Sequence, residues 1–258
     1  LGDDMNSDLE LKLLAGDSIP FYDIGFVHPF TIGDIKNIGG ETVFNSYISA
    51  LTISKDKFQI QDQDLNLSDF ELAYTLCLTD MKFILNNTEI LFKDLYLKAM
   101  SFVFKENVGI YDGGFYVSDR IQNRVINHLN YDEFINIVKL QNCLIKLENS
   151  LSQENPASEK AKELLEKRKK AREKLNKMKN KSNEDSGEPL TLSDLVSILC
   201  ANSNGVTIFN VWDLSFYAFN DQFNRMKMLD DYQVNIRSIL AGADPNEIEL
   251  KHWMSKIG

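Results

Sequence analysis

The segment Asn155 to Lys181 constrains this chain more than any other stretch. NPASEKAKELLEKRKKAREKLNKMKNK opens with Asn155 as a helix N-cap and Pro156 at the first helical position. There the missing proline N–H and fixed φ are no handicap, and no breaker follows until the Ser/Asn/Asp/Gly stretch after Lys181. Between Glu159 and Lys181 eleven Lys or Arg stand against four Glu, so the segment carries about +7 and the rest of a chain totalling −10 carries about −17. It reads as a boundary between two folded parts.

The flanks are rich enough in apolar residues to bury cores. With 258 residues at 43% hydrophobic, the size prior of about 100–200 residues per domain allows two. The acidic balance argues against a surface that wraps nucleic acid or an anionic membrane, because both would repel it. Cys77, Cys143 and Cys200 lie far apart with no CxxC and no neighbouring histidine, which favours a reducing compartment over zinc or a disulfide framework. No stretch reaches the roughly 18 uninterrupted apolar residues of a membrane span, and no basic-then-apolar leader is visible. The expected location is cytosolic. The opening LGDD, without an initiating Met, is given no weight.

Local signals give a coarse map. Residues 8–30 read as a strand or extended lead-in, with two prolines and partial alternation. Thr31 with Asp34, Ser68 with Glu71 and Thr191 with Asp194 each have capping-box spacing and open helices. The first leads a short helix closed by Gly39-Gly40, after which another runs from Glu41 to about Ser54. The second leads a helix through Phe83 and Ile84, and Thr88 caps the next, with Leu91, Leu95, Ala99, Phe102 and Val103 along one stripe. Asp112-Gly113-Gly114 between β-prone runs predicts a hairpin near 108–118, since glycine supplies positive φ without strain. A further strand near 120–127 and a helix capped by Asn130 come next. Beyond the linker, a helix carries Phe209, Trp212, Phe216, Phe219 and Phe223 along one face. A third spans Asp231 to Ala241, and a last one opens at Asp244-Pro245 and carries Trp253.

The expected fold is therefore mainly α. An N-terminal, mostly helical domain with a small hairpin or sheet covers 8–151. A long basic connecting helix spans 155–181, a flexible linker 182–189, and a C-terminal helical domain 190–258.

Catalytic signatures are missing. His28, His128 and His252 are scattered without ligand spacing, and there is no phosphate loop, dinucleotide fingerprint or nucleophile elbow. Asp213 and Asp221, with Asp194, raise a paired-carboxylate reading, but acidic residues are abundant and solvated charge explains them better. No catalytic residue, metal or cofactor is expected. Two features remain. Lys167, Arg168, Lys169, Lys170, Arg172 and Lys174 surround the basic helix on all sides, with Glu163 and Glu166 placed for i+4 pairs, which fits a solvated connector better than a phosphate stripe. The aromatic stripe is mainly core, yet a unit of about 68 residues cannot easily enclose five large aromatics and Trp253, leaving some to form a groove for a partner's apolar helix.

Several passages resemble proteins from the tail-gene region of phages and prophages of Gram-positive bacteria. They are LELKLLAGDSIPFYDIGFVHPFTIGDIKNIG, NPASEKAKELLEKRKKAREKL, LSDLVSILCANSNGVTIFNVWDLSFYAFNDQF and LAGADPNEIELKHWMSKI. Together they look like phage tail assembly chaperones. The resemblance implies a non-enzymatic factor of the host bacterial cytoplasm that coats the tape measure protein, helps recruit tail tube subunits and leaves before the virion is complete. It also implies that this is the two-domain product, in families where a shorter product carries the N-terminal domain alone. Expected partners are the tape measure protein and other tail proteins, with self-association open and nucleic acid disfavoured. A nucleic-acid-associated regulatory or packaging protein using the basic helix, or a structural tail component, is the competing reading.

Overall fold

The structure is a computed structural model that describes residues 2–55, 67–118, 124–145, 190–203, 205–244, 248 and 250–255. The expected basic helix, with Lys167, Arg168, Lys169, Lys170, Arg172 and Lys174, and the linker 182–189 lie outside the described residues.

The first correction comes at the N-terminus, where helix α1 spans Gly2–Ala15 and displaces the first part of the strand or extended lead-in expected over 8–30, whose strands begin only at Ile19. Gly16, at φ 74°, ends it in a Schellman arrangement: Gly16 N donates to Leu13 O at 3.2 Å and Asp17 N to Lys12 O at 2.9 Å. Strands β1 (Ile19–Phe21) and β2 (Gly25–Val27) pair antiparallel around a 3-10 turn at Tyr22–Ile24. Pro20 sits within β1 and Pro29 just beyond β2, so both prolines fall outside the helix. Helix α2 (Ile32–Asn37) has its capping box formed, with Asp34 N donating to Thr31 Oγ1 at 2.9 Å and Thr31 N to Asp34 Oδ2 at 3.0 Å. Helix α3 is Glu41–Leu51.

Helix α4 (Asp69–Leu78) opens at the Ser68/Glu71 box as expected but stops short of Phe83 and Ile84. These residues lie in β3 (Lys82–Leu85), which pairs with β4 (Thr88–Leu91). The helix expected to start at Thr88 starts one strand later, as α5 (Phe92–Phe104). Asn86 and Asn87 form the connection at φ 49° and 61°, the two positive values that a two-residue hairpin turn requires and that asparagine tolerates. The 108–118 hairpin is present as β5 (Val108–Tyr111) and β6 (Gly114–Val117), extended by β7 (Val125–Ile126). Gly114 is obligatory because a Cβ there would meet Ile126 O at 2.2 Å. Asn130 does precede α6 (Tyr131–Gln141), but its side chain turns backwards, accepting from Asn127 N and donating to Val125 O.

Two helices complete the described fold. Helix α7 (Leu192–Asn202) opens at the Thr191/Asp194 box, and α8 runs unbroken over Phe216–Leu240, so the separate helix expected from Asp231 does not exist. Among the described residues the architecture is helix-rich and mixed, eight helices with three small antiparallel sheets.

Helix α5 is the hub. Tyr96, Ala99 and Met100 are wholly buried in it, and the Tyr96 and Tyr131 hydroxyls meet at 3.0 Å, so neither phenol is left unpaired in the core. The same core takes in Val196, Leu199, Val211 and Phe219. The segment expected to form a separate domain from residue 190 therefore shares its apolar interior with residues 13–140. The seam is a short antiparallel contact in which Ile32 N donates to Leu214 O at 2.9 Å and Phe216 N to Phe30 O at 2.7 Å. Beneath it Phe44 packs on Phe30 at 5.3 Å and on Phe216 at 4.9 Å.

A polar clamp ties β7 back to the first hairpin. Arg124 donates through Nε to Ile24 O at 2.6 Å and through both Nη atoms to Glu106 at 2.7 Å, which holds the Glu106 carboxyl below its usual range. A depressed carboxylate stabilises the fold above its unfolded pKa and loses that contribution as pH falls through its folded value. Arg124→Ala should therefore cost about 1–2 kcal/mol at neutral pH, discounted for partial exposure. Glu106→Gln should flatten the acid limb of stability in chemical denaturation series from neutral pH downwards.

Candidate functional site

The six aromatics named as candidates for the docking surface, five on one expected helix face and Trp253 on the last helix, are divided among three environments. Phe219 is 1% exposed and Phe223 lies against it at 6.4 Å, while Phe216 packs on Phe44. These three anchor the start of α8, where the Ser215 hydroxyl caps the helix by accepting from Ala218 N at 3.1 Å. Phe209 and Trp212 are not on that helix. They lie before Ser215, in a turn that passes into a 3-10 turn at Val211–Asp213. The expected stripe fails because Ser215 starts the helical repeat afresh.

Trp253 belongs elsewhere again. Residues 250–255 are not helical; Pro245 to Glu247 and Glu249 lie outside the described residues. Arg225 on α8 donates to Trp253 O at 3.3 Å and to Ser255 O at 2.6 Å, and His252 approaches Tyr232 at 5.0 Å. Trp253 thus rests with a C-terminal strap on the middle of α8.

Phe209 is the outlier. Its side chain is 90% exposed, beside Ile208 at 49%. The backbone carrying it is held by its own polar groups. Thr207 N donates to Asn210 Oδ1 at 2.7 Å, Asn210 Nδ2 to Gly205 O at 3.0 Å and Phe209 N to Thr207 Oγ1 at 3.3 Å. Val206 N donates to Ser203 Oγ at 3.1 Å on the α7 side, and Val211 N to Thr207 O at 3.0 Å on the other. Trp212 Nε1 reaches back to Ile208 O at 2.7 Å. An aromatic ring presented on a turn fixed by this many hydrogen bonds needs little ordering when it docks, and ordering is a main cost of association.

The turn is braced from the N-terminal part. The Lys36 ammonium stands 4.7 Å from the centre of the Trp212 ring, and Gly33 in α2 lies so close that a Cβ would meet Trp212 O at 2.9 Å. Neither residue was singled out from sequence. The Thr207-x-x-Asn210 spacing is a local sign of a side-chain-capped turn that the helical reading of 209–223 passed over, whereas the approach of α2 is a tertiary fact with no local sign.

Residues 179–258 match the family model of the YomV second domain. This YomV-like segment points to a phage-derived protein, and it contains α7, the Phe209 turn, α8 and the strap. No curated protein and no solved structure matches the chain.

The YomV-like segment also holds the carboxylates that had raised a paired site, and they are apart in role. Asp194 caps α7, Asp213 closes the 3-10 turn, and Asp221 is half-buried on α8. Among the described residues no group of three or more His, Cys, Asp or Glu could hold a metal, and no helix is long and apolar enough to cross a membrane. Cys77 is buried and its thiol pushed up to about 12, far from a thiolate nucleophile.

Two outcomes are expected. Phe209→Ser should move the melting temperature by less than about 2 °C, as exposed sites do, whereas Phe219→Ser should cost about 3–5 kcal/mol; thermal circular dichroism reads both. Burial raises the Asp221 carboxyl, Arg225 offsets part of this and Glu10 adds to it. A raised carboxylate penalises folding once it ionises, so Asp221→Asn should stabilise the protein near neutral pH, an advantage that shrinks towards about pH 4.

Proposed function

We propose that this protein is a phage tail assembly chaperone that holds tail proteins, the tape measure protein among them, through the Phe209–Ile208 turn. The observation that carries the reading is the fully displayed Phe209 ring on a hydrogen-bonded turn. Leaving so large an apolar ring in water forgoes about 25 cal/mol per Å² of burial, which a docking partner would restore. The YomV second-domain match over the same residues supports a phage setting. The likeness of several passages to tail assembly chaperones supplies the partner class and the role in recruiting tail tube subunits. A non-enzymatic binding protein of the host cytoplasm fits that role.

The basic residues Lys167 to Lys174 serve in this reading as a solvated spacer between the two halves of the chain. Phosphate binding by them would fade steeply as salt rises, whereas apolar docking would scarcely change.

The test is retention of tail proteins by the tagged full chain from phage-producing cells at about 0.5 M salt, where exposed charge contacts are screened. Mass spectrometry should find a long helical tail protein with the wild type, reduced roughly 30-fold with Phe209→Ser, the loss of a hot-spot side chain. Equal recovery by the variant would remove the docking turn. Recovery of nucleic acid alone, and only at low salt, would move the function to the basic segment.

A further inference from the structure

The Phe209 turn lies in the YomV-like segment and is held in part by its own hydrogen bonds, yet a second set of supports comes from outside that segment. Trp212 is pinned between its own bond to Ile208 O and the Lys36 ammonium, 4.7 Å from the ring centre. On the same side Gly33 lets α2 approach until its missing Cβ would lie 2.9 Å from Trp212 O and 3.5 Å from Trp212 Cβ. Gly33 takes no special φ, so its role here is space alone: any larger side chain must push the Val211–Asp213 backbone off α2. Directly after this turn the chain is stitched to residues 30–32 by the two backbone bonds across Thr31 and Ser215. Before it, the start of α7 is held by Leu192 N donating to Glu41 Oε2 at 2.8 Å.

We infer that the docking turn is a composite site: Gly33 and Lys36 of the N-terminal part are positioning residues that fix the 206–213 turn and so set how Phe209 is presented. The inference rests on the docking reading proposed for Phe209. It gives the two sequence parts a division of labour. The YomV-like segment carries the ring that touches the partner, and residues 30–44 hold that ring's backbone in place. The segment is then not a self-sufficient binding module, and a change in α2 reaches the partner without touching it.

The experiment uses the full chain in four forms: wild type, Gly33→Ala, Lys36→Met and Lys36→Arg. Amide hydrogen exchange is followed over 206–214, with the α5 amides as internal control, alongside retention of tail proteins at about 0.5 M salt. Gly33→Ala should speed exchange over 206–214 by about tenfold or more while α5 is unchanged, the pattern of local rather than global loosening. Its retention of tail protein should fall towards that of Phe209→Ser. Lys36→Met should move both readouts in the same direction by less, and Lys36→Arg, which keeps a cation over the indole, should restore both. If Gly33→Ala does not accumulate as folded protein, the Lys36 pair alone decides. Unchanged exchange over 206–214 in Gly33→Ala and Lys36→Met would overturn the inference, as would a loosened turn with full retention. If the wild type retains no tail protein, the docking reading fails, while the exchange data still decide whether α2 fixes the turn.

Discussion

The contact on which the rest of the structure depends is the stitch between residues 30–32 and 214–216. Two backbone hydrogen bonds, Ile32 to Leu214 and Phe216 to Phe30, join parts of the chain separated by most of its length. The Phe30–Phe44–Phe216 cluster beneath them excludes water. Closing so long a loop costs only slowly more entropy than closing a short one, because the cost grows with the logarithm of length. A few buried aromatics and two shielded hydrogen bonds can therefore hold it. Once closed, the stitch sets the origin of α8, seats Val211 and Phe219 in the core built around α5, and brings the 206–213 turn against α2.

That geometry explains which parts of the fold the sequence shows. Features whose chemistry is local were legible: all three capping boxes, at Thr31, Ser68 and Thr191, are formed, and Asp112-Gly113 makes the expected hairpin. Features decided by competition between local preferences were not. The apolar residues of 82–91 suit a helix or a strand equally, and the Asn86-Asn87 pair tips them into a hairpin because both asparagines accept positive φ. At the N-terminus Gly16 separates a helix from a hairpin, so the single strand reading of 8–30 holds for 19–27 and fails for the helix before Gly16.

The candidate site was legible in the same partial way. The aromatic residues between 209 and 223 recur at helical spacing, but Ser215 is a better N-cap than a helix-interior residue, and the repeat breaks there. Phe216, Phe219 and Phe223 then follow the core-packing expectation, and Phe209 alone is left fully outside. Sequence reasoning can count aromatics against the size of a core and find an excess. It cannot say which ring is the surplus one, because that depends on where the helix begins.

The boundary near residue 180 is thus two different things. In sequence it is a change of charge and composition, and the YomV second-domain match begins there. In the folded protein it is not a division of the core, since Val196, Leu199, Val211 and Phe219 pack among residues from the first half. Segments joined so closely cannot be loosened independently: displacing α2 exposes Trp212 and strains the stitch, and disordering the start of α8 uncovers Phe44 and Phe30. In the docking role proposed for it, Phe209 would gain from such a seam a backbone held from both sides, so that most of its burial would go to affinity rather than to ordering its own loop.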